Sequence, residues 1–174
     1  MLPEPRIDHW YGVFAVTGDE DKVKERIKYR LPEDFLVMVP KRKLKIRKGG
    51  ILKVETKVLF PGYVLLNGEV NTDIYYRLKN IPSVLRFLKT GNTLTPIDSS
   101  EMAVLSRLIC NNEEIGFSSA LVENGRVRVI DGPLFSLEGI ILSINSRKER
   151  AKVRLNFLGE ERTVDLGISF LRPA

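Results

Sequence analysis

The stretch LFPGYVLL, residues 59–66, places an aromatic side chain on each side of a Pro-Gly pair and then continues as an apolar segment. Proline fixes φ at Pro61 and glycine permits a positive φ at Gly62, so the pair predicts a tight turn. The residues from Tyr63 onward are apolar nearly throughout, which is typical of a central strand. The rest of the chain is therefore expected to pack around this strand.

A strongly basic segment, KRKLKIRKGGILKVETK, occupies residues 41–57 just before that stretch. Gly49 and Gly50 separate two runs of alternating residues, a pattern that predicts a β-hairpin. The segment carries eight cationic side chains and one anionic side chain, Glu55, within seventeen residues. Such a charge density favours a polyanionic partner.

Residues outside the basic hairpin alternate between strand and helix patterns up to residue 110. Strands are predicted at 10–17, 35–40, 63–67 and 84–88, with helices at 20–31, at 72–79 and from Ser99 onward. In the first helix Val23, Ile27 and Leu31 recur at four-residue spacing, which indicates one buried face. Two βαβ-like halves of this kind predict an α+β fold of the ferredoxin-like αβ sandwich type.

The C-terminal third differs in kind, because short strand patterns follow each other without a helix. They lie at 127–130, 137–144, 151–158, 163–166 and 170–171. Closely spaced strands joined by Gly, Asn and Pro turns predict a small closed β-barrel. The polar segment 111–124 has no clear period and is expected to be a linker. The predicted domains are 8–110 and 125–174.

The composition is that of a globular protein, with 43% hydrophobic and 29% charged residues, and the net charge is +6. A run of apolar residues long enough to span a membrane and a signal-peptide pattern are both missing, so a cytoplasmic protein is expected. One histidine and one cysteine give no metal-ligand spacing. No nucleophile or phosphate-loop motif appears either. We therefore expect neither an enzyme nor a cofactor.

Four segments together resemble the NusG family of transcription elongation factors. WYGVFAVTG (10–18), LFPGYVLL and IPSVLRFL (81–88) look like the family's NGN domain, and GRVRVIDGPLFSLEGIILSINSRKERAKVRL (125–155) resembles its KOW motif. The resemblance covers Trp10 to Arg172 in the family's order. It implies an NGN domain that binds RNA polymerase and an SH3-like KOW barrel that binds a further partner.

The resemblance also implies a polymerase-binding surface, which in relatives seats on the clamp helices of the largest polymerase subunit. The matching positions are Phe14, Phe60, Tyr63 and Leu65. Aromatic side chains suit such an interface because they bury a large area at a low cost in rotamer entropy. The alternative is that all four side chains belong to the core.

The resemblance also implies contact with the exposed non-template DNA strand, which the family's specialised members face at the positions of Lys22 and Arg26. The basic hairpin is expected to attract either DNA or emerging RNA. The candidates are Lys22 and Arg26 on the first helix and Lys41, Arg42 and Lys43 on the basic hairpin. The four-residue spacing of Lys22 and Arg26 puts both on one helix face, where they could neutralise phosphates without reading sequence. A solvated helix surface is the alternative.

Basic side chains of the second domain suggest RNA binding. The candidates are Arg126, Arg128, Arg147, Lys148, Arg150, Lys152 and Arg154. The alternation of Arg150, Lys152 and Arg154 aims three cations at one face of a strand, which suits an RNA backbone. Against this, charged residues on the outer face of a small barrel are commonplace.

The chain resembles most closely a specialised NusG paralog of the LoaP group. That resemblance implies recognition of nascent leader RNA in the form of a hairpin. Separately, we expect a monomer with no membrane contact that suppresses pausing or termination. A general NusG factor supporting Rho-dependent termination is one alternative, although Leu158 stands where general factors carry the phenylalanine that helps dock Rho or a ribosomal protein. A ribosome-associated KOW protein that binds RNA is the other.

Overall fold

The computed structural model of the chain describes residues 9–109 and 113–171. These residues form two compact units, each made of two chain segments. Over the described part of each range, unit 1 comprises Met1–Pro40 and Phe60–Ala103, and unit 2 comprises Lys41–Leu59 and Val104–Ala174. None of the described helices has both the length and the apolar character that crossing a membrane requires.

Strands outnumber helices in both units. In chain order the elements are β1 (Trp10–Ala15), α1 (Glu20–Arg30), β2 (Leu36–Met38), β3 (Lys41–Lys48), β4 (Ile51–Val58), β5 (Tyr63–Asn67), α2 (Thr72–Leu78), β6 (Val84–Phe87), β7 (Lys89–Thr90), β8 (Thr93–Leu94), α3 (Ser99–Leu108), β9 (Glu114–Ile115), β10 (Ser118–Glu123), β11 (Arg126–Asp131), β12 (Ile141–Asn145), β13 (Arg150–Phe157) and β14 (Glu160–Leu171). A 3-10 helix, Glu138–Ile140, precedes β12.

The main sheet of unit 1 is antiparallel, with the strand order β2-β5-β1-β6. Without the basic hairpin, the chain runs β-α-β-β-α-β, and its first and third strands are the two inner ones. This is the ferredoxin-like arrangement that the sequence predicts, and the α+β fold class is confirmed. Helix α1 buries Val23 and Ile27, and α2 buries Ile74 and Leu78.

The Pro-Gly turn directs the chain into the inner strand β5. The backbone N–H of Tyr63 donates to the Phe60 carbonyl at 3.2 Å, and Gly62 has a φ of 86°. Proline followed by a residue with positive φ is typical of a type II turn, and the predicted tight turn is confirmed. Val64, Leu65 and Leu66 are each 0% exposed, which confirms that this strand is central to the core.

The basic hairpin of the sequence is β3 paired with β4. The two strands pair from Lys41↔Val58 to Lys48↔Ile51. Gly49 and Gly50 join them with φ values of 57° and 79°. Two consecutive positive φ values match the right-handed twist of a hairpin and favour glycine at both positions. The predicted hairpin is therefore confirmed, and β9 adds to it in parallel with β3.

The second sheet of unit 2 has five strands in the order β11-β10-β14-β13-β12. The last strand along the chain, β14, is the middle strand of this sheet and has 12 residues. It replaces the two separate strands predicted at 163–166 and 170–171. The glycine between them, Gly167, pairs with Arg150 and leaves the ladder continuous. The segment 137–144, predicted as one strand, begins as the 3-10 helix and continues as β12.

The segment expected to be a linker, 111–124, contains strands β9 and β10 in its described part. Ser118 and Ala120 are buried on one side of β10, but the surrounding polar residues hide this two-residue alternation in the sequence. Residues 110–112 lie outside the described part of the chain. The compact units are not the predicted domains, 8–110 and 125–174, because the basic hairpin groups with the C-terminal segments. The domain bounds themselves stay a prediction.

Candidate functional site

Two predicted contact residues form an aromatic pair on the sheet of unit 1. Phe14 on β1 lies opposite Tyr63 on β5, and their ring centroids are 5.1 Å apart with the rings tilted by 56°. Arg86, opposite Phe14 on β6, places its guanidinium 4.3 Å from the centre of the Phe14 ring. Both aromatic side chains are half-buried, and Arg86 is exposed. Phe14, Tyr63 and Arg86 are called the aromatic–arginine cluster below.

The other two predicted contact residues lie in the interior. Phe60 is 3% exposed and Leu65 is 0% exposed. Leu65 lies opposite Gly12 in an inner strand, and Phe60 is the first residue of the Pro-Gly turn, so both side chains pack inward. Both side chains are therefore buried within unit 1, as a core position would require, and their part in polymerase binding stays a prediction.

The two cations predicted on helix α1 have different surroundings. Lys22 is exposed, and its Nζ lies 3.7 Å from Oδ1 of Asp19. Arg26 donates from Nη1 to the carbonyl of Pro82 at 2.7 Å. A hydrogen bond from the Ser83 hydroxyl lowers the pKa of Asp19, so this carboxylate stays charged beside Lys22. Lys22 is therefore the more accessible of the two to a DNA phosphate.

The three cations predicted at the start of the basic hairpin are engaged within unit 2. Lys41 lies 3.5 Å from Glu113 and Lys43 lies 3.4 Å from Glu114, both measured from Nζ to a carboxylate oxygen. Burial lowers the pKa of the Arg42 guanidinium, and Asp165 opposes this shift while Arg150 adds to it. The two lysine ion pairs hold the base of the hairpin, and the Arg42 guanidinium is partly buried beside them.

A groove lined with positive charge lies where the distal half of the basic hairpin meets the β12–β13 turn. One part, of about 490 Å³, is lined by the turn and by Lys152 and Asp165. The other part, of about 820 Å³, is lined by the turn and by hairpin residues. The two parts share Ser146, Arg147, Lys148 and Arg150 and therefore adjoin each other at the β12–β13 turn. The cationic side chains of this cationic groove are Lys45, Arg47, Arg147, Lys148, Arg150 and Lys152.

One ion pair and one hydrogen bond join the hairpin wall of the cationic groove to the turn wall, and two further contacts link these side chains to strand β14. Lys45 Nζ lies 2.6 Å from Glu149 Oε2 and 3.4 Å from the Ser169 hydroxyl. Arg150 donates from Nη2 to the Lys45 carbonyl at 3.3 Å, and its Nη1 lies 3.7 Å from Asp165. A hairpin side chain contacts the turn, and Arg150 contacts the hairpin backbone, so the hairpin wall is held against the turn wall.

A glycine in β14 lets the hairpin backbone come close to the five-stranded sheet. A Cβ atom at Gly167 would lie 2.8 Å from the Lys43 carbonyl oxygen and 2.3 Å from the Phe117 ring. Real Cβ atoms essentially never come this close to other heavy atoms, so an alanine here would force a displacement. Gly167 therefore permits the contact that forms the cationic groove.

The seven cations predicted to bind RNA fall into separate places. Arg147, Lys148, Arg150 and Lys152 line the cationic groove. Arg150, Lys152 and Arg154 do alternate with buried residues along β13 and share one face, as predicted. Arg126 and Arg128 lie on β11, at the opposite edge of the sheet from β12. One surface cannot use all seven in the same way.

The sequence did not reveal that two hairpin residues share a site with the β12–β13 turn. Lys45 and Arg47 precede that turn by about a hundred residues, as the Lys45–Glu149 pair shows with a separation of 104. Their charge was visible in the sequence, but their neighbours were not, because a parallel strand pair such as β3–β9 leaves no local signal. The glycine at 167 was the one hint of a close backbone approach.

The side chains of the aromatic–arginine cluster and of the cationic groove are of kinds that bind partners. Among the described residues, no group of three or more His, Cys, Asp or Glu side chains could hold a metal ion. The aromatic–arginine cluster offers flat apolar rings with a cation, which suits a protein surface carrying carboxylates. The cationic groove offers guanidinium and ammonium groups, which suit phosphates.

Comparison with known proteins adds a family. A family model described as "Transcription termination factor nusG" matches residues 8–106. The transcription termination/antitermination protein NusG of Bacillus subtilis (strain 168) is 33% identical over 168 residues, covering 91% of this chain and 94% of that protein. Its namesake from Escherichia coli (strain K12) is 31% identical, covering 95% and 96%. A solved structure described as "Domain interaction in Thermotoga maritima NusG" has a TM-score of 0.55 and 27% identity, covering 92% and 93%.

Proposed function

The chain belongs to the NusG family, and from that membership we propose that it is a specialised transcription elongation and antitermination factor that accompanies RNA polymerase. Unit 1 binds the clamp helices of the largest polymerase subunit, and basic side chains recruit the protein through nascent RNA. Its place of action is the cytoplasm, where bacterial transcription occurs. The function is one of binding and needs no cofactor.

The aromatic–arginine cluster is the observation that carries the polymerase contact. Phe14 and Tyr63 are held by their strands and by each other, so little conformational entropy is lost when a partner covers them. Arg86 is exposed above the Phe14 ring and can reach a carboxylate of the partner while it remains stacked. Large aromatic and arginine side chains of this kind are common among interface hot spots.

The proposed effect on polymerase is a shift in conformational population. A factor that binds the closed clamp more tightly than the open clamp lowers the population of the open, pause-prone state. A tenfold difference in affinity corresponds to about 1.4 kcal/mol, which is enough to shorten pauses several-fold. Lys22 adds a non-specific attraction to the non-template DNA strand, because it is the exposed cation of the α1 pair.

The test is binding of the full chain to purified RNA polymerase, with single substitutions in the cluster. We expect Tyr63→Ala and Arg86→Glu to weaken binding by about 30-fold, the effect of a hot-spot residue. Tyr29→Ala is the matched control, since Tyr29 lies on α1 and is 92% exposed. If both cluster variants bound polymerase as the parent does, the proposed surface would be wrong.

A second candidate is a general factor that supports Rho-dependent termination. The names of the relatives from B. subtilis and E. coli, which include termination as well as antitermination, favour it. The two candidates differ in one measurable property, because only the general factor should bind Rho. A pull-down of purified Rho by the full chain, followed by a Rho-dependent termination assay, separates them.

A further inference from the structure

We propose that the cationic groove is one RNA-binding site, in which the basic hairpin and the β12–β13 turn hold opposite sides of the same unpaired RNA segment. The inference rests on the proposed function, since it specifies how that factor would hold nascent RNA. It goes further in joining two basic regions that are about a hundred residues apart into a single site. The hairpin side chains involved are Lys45 and Arg47.

Charge is the first argument for this site. Six cationic and two anionic side chains line the cationic groove. Lys45 forms an ion pair with Glu149, and Arg150 forms one with Asp165. The two positive charges are therefore balanced by the two negative charges. The remaining four cations are exposed and make no ion pair with any residue in the described part of the chain. They are Arg47, Arg147, Lys148 and Lys152.

The distribution of these four cations is the second argument. Arg47 belongs to the hairpin wall, whereas Arg147, Lys148 and Lys152 belong to the turn wall. Cations on both walls can neutralise successive phosphates of a strand that runs between them. If these cations only covered a solvated surface, the hairpin would not have to be held against the turn. The contacts of Lys45 and Arg150 do hold it there.

The uncharged lining favours an unpaired strand. On the hairpin side, Leu52 is 52% exposed and lies opposite Arg47 in the β3–β4 ladder, so these two side chains share one face. Exposed apolar side chains beside phosphate-binding cations can cover the faces of unstacked bases, which a duplex keeps buried. An unpaired stretch, in a loop or beside a stem, therefore fits this site.

Polar groups in the turn favour RNA over DNA. Ser143, Asn145 and Ser146 line the same part of the cationic groove as Arg147 and Lys152. Hydroxyl and amide groups can exchange hydrogen bonds with the ribose 2′-hydroxyl, which DNA lacks. We therefore expect RNA to bind more tightly than DNA of the same sequence.

The experiment measures binding of the full chain to an unstructured, fluorescently labelled RNA of about 12 nucleotides, the length scale of single-strand sites. Four phosphate contacts to a single strand predict a slope of log affinity against log salt of about −3. Affinity should then fall roughly 50-fold between 50 and 200 mM salt. The same DNA sequence and a fully paired RNA duplex serve as competitors.

Substitutions on each wall test whether the site is composite. We expect Arg47→Ala and Arg147→Ala each to weaken RNA binding roughly fivefold and to reduce the salt slope by about 0.7. Lys53→Ala is the control on the same hairpin, because Lys53 is exposed and does not line the cationic groove. Arg126→Ala is the control on the opposite edge of the sheet. All four side chains are exposed, so the fold should be retained, and far-UV circular dichroism checks this.

The outcomes separate this inference from the proposed function. If Arg147→Ala weakened RNA binding while Arg47→Ala matched Lys53→Ala, the composite site would be refuted, and equal affinity for DNA or duplex would refute its preference for unpaired RNA. Polymerase binding is measured on the same variants. Loss of RNA binding with normal polymerase binding supports the inference, and a parent protein that binds RNA but not polymerase would refute the proposed function alone.

Discussion

Leu158 has a backbone conformation that costs free energy at a single residue. It follows β13 and has a φ of 54°, and Gly159 beside it has a φ of 75°. Phe157 pairs with Glu160, so Leu158 and Gly159 form a two-residue hairpin turn. Such turns favour asparagine or aspartate followed by glycine, and a β-carbon in this left-handed region costs about 1–2 kcal/mol for most residues.

Replacing Leu158 by asparagine should therefore stabilise the protein. We expect Leu158→Asn to raise the free energy of unfolding by about 0.5–1 kcal/mol, because asparagine tolerates the left-handed conformation and this gain exceeds the loss of a half-buried leucine side chain. Urea unfolding of the parent and the variant measures the change. A decrease of similar size would mean that the half-buried Leu158 side chain contributes more by packing than its backbone costs.

Single residues show where sequence patterns carry information and where they do not. The two-residue alternation of Arg150, Lys152 and Arg154 predicted a common face correctly, because strand geometry is local. Phe60 and Leu65 could not be assigned in the same way. Their apolar character is equally compatible with a core and with an interface, and only the packing of neighbouring elements places them inside.

Strand β14 shows at the level of elements how a glycine can be misread. Gly167 interrupts an apolar pattern, so the sequence predicted two strands where one exists. Its physical role is the close approach of β3, whose Lys43 carbonyl would be 2.8 Å from a Cβ at this position. A glycine inside a strand pattern can indicate the close approach of another backbone as well as the end of the strand.

Gly167→Ala should separate the basic hairpin from the five-stranded sheet. We expect a loss of about 1–3 kcal/mol in the free energy of unfolding, because the added methyl group overlaps the Phe117 ring and the Lys43 carbonyl. Gly139→Ala is the matched control, since a Cβ at Gly139 meets no heavy atom within 4 Å. Urea unfolding measures both variants, and equal stabilities would show that the hairpin is not held through this glycine.

Element order was easier to predict than element partners. The succession of strands and helices in unit 1 and the basic hairpin followed from hydrophobic period and turn residues, which are short-range signals. The sequence predicts a linker where strand β10 lies, because polar residues surround its two buried positions, Ser118 and Ala120. Strands β10 and β14 pair in parallel and are distant in sequence, so no short turn between them indicates the pairing.

At the scale of the whole molecule, the two candidate surfaces belong to different compact units. The aromatic–arginine cluster lies in unit 1, and the cationic groove is built entirely from residues of unit 2. Substitutions at sites that share no contacts generally act independently. The two binding activities should therefore be separable by mutation.

We expect Arg86→Glu to reduce polymerase binding and leave RNA binding unchanged, and the double variant Arg47→Ala/Arg147→Ala to do the reverse. In a transcription assay on a template with a single strong pause site, both variants should shorten the pause less than the parent. Comparing the two binding constants for each variant measures the separation. Loss of both activities in either variant would show that the surfaces depend on each other.

The path of the chain through the two units has a consequence for inheritance. Residues 41–59 lie between β2 and β5 of unit 1 in the sequence, yet they belong to unit 2. A recombination event that exchanged only the end of the gene between paralogs would carry over one wall of the groove and leave the other behind. A hybrid protein that carried both walls from the same paralog would need two further crossovers, one on each side of residues 41–59. The RNA preference should therefore evolve by matched substitutions in both segments rather than by exchange of one gene segment.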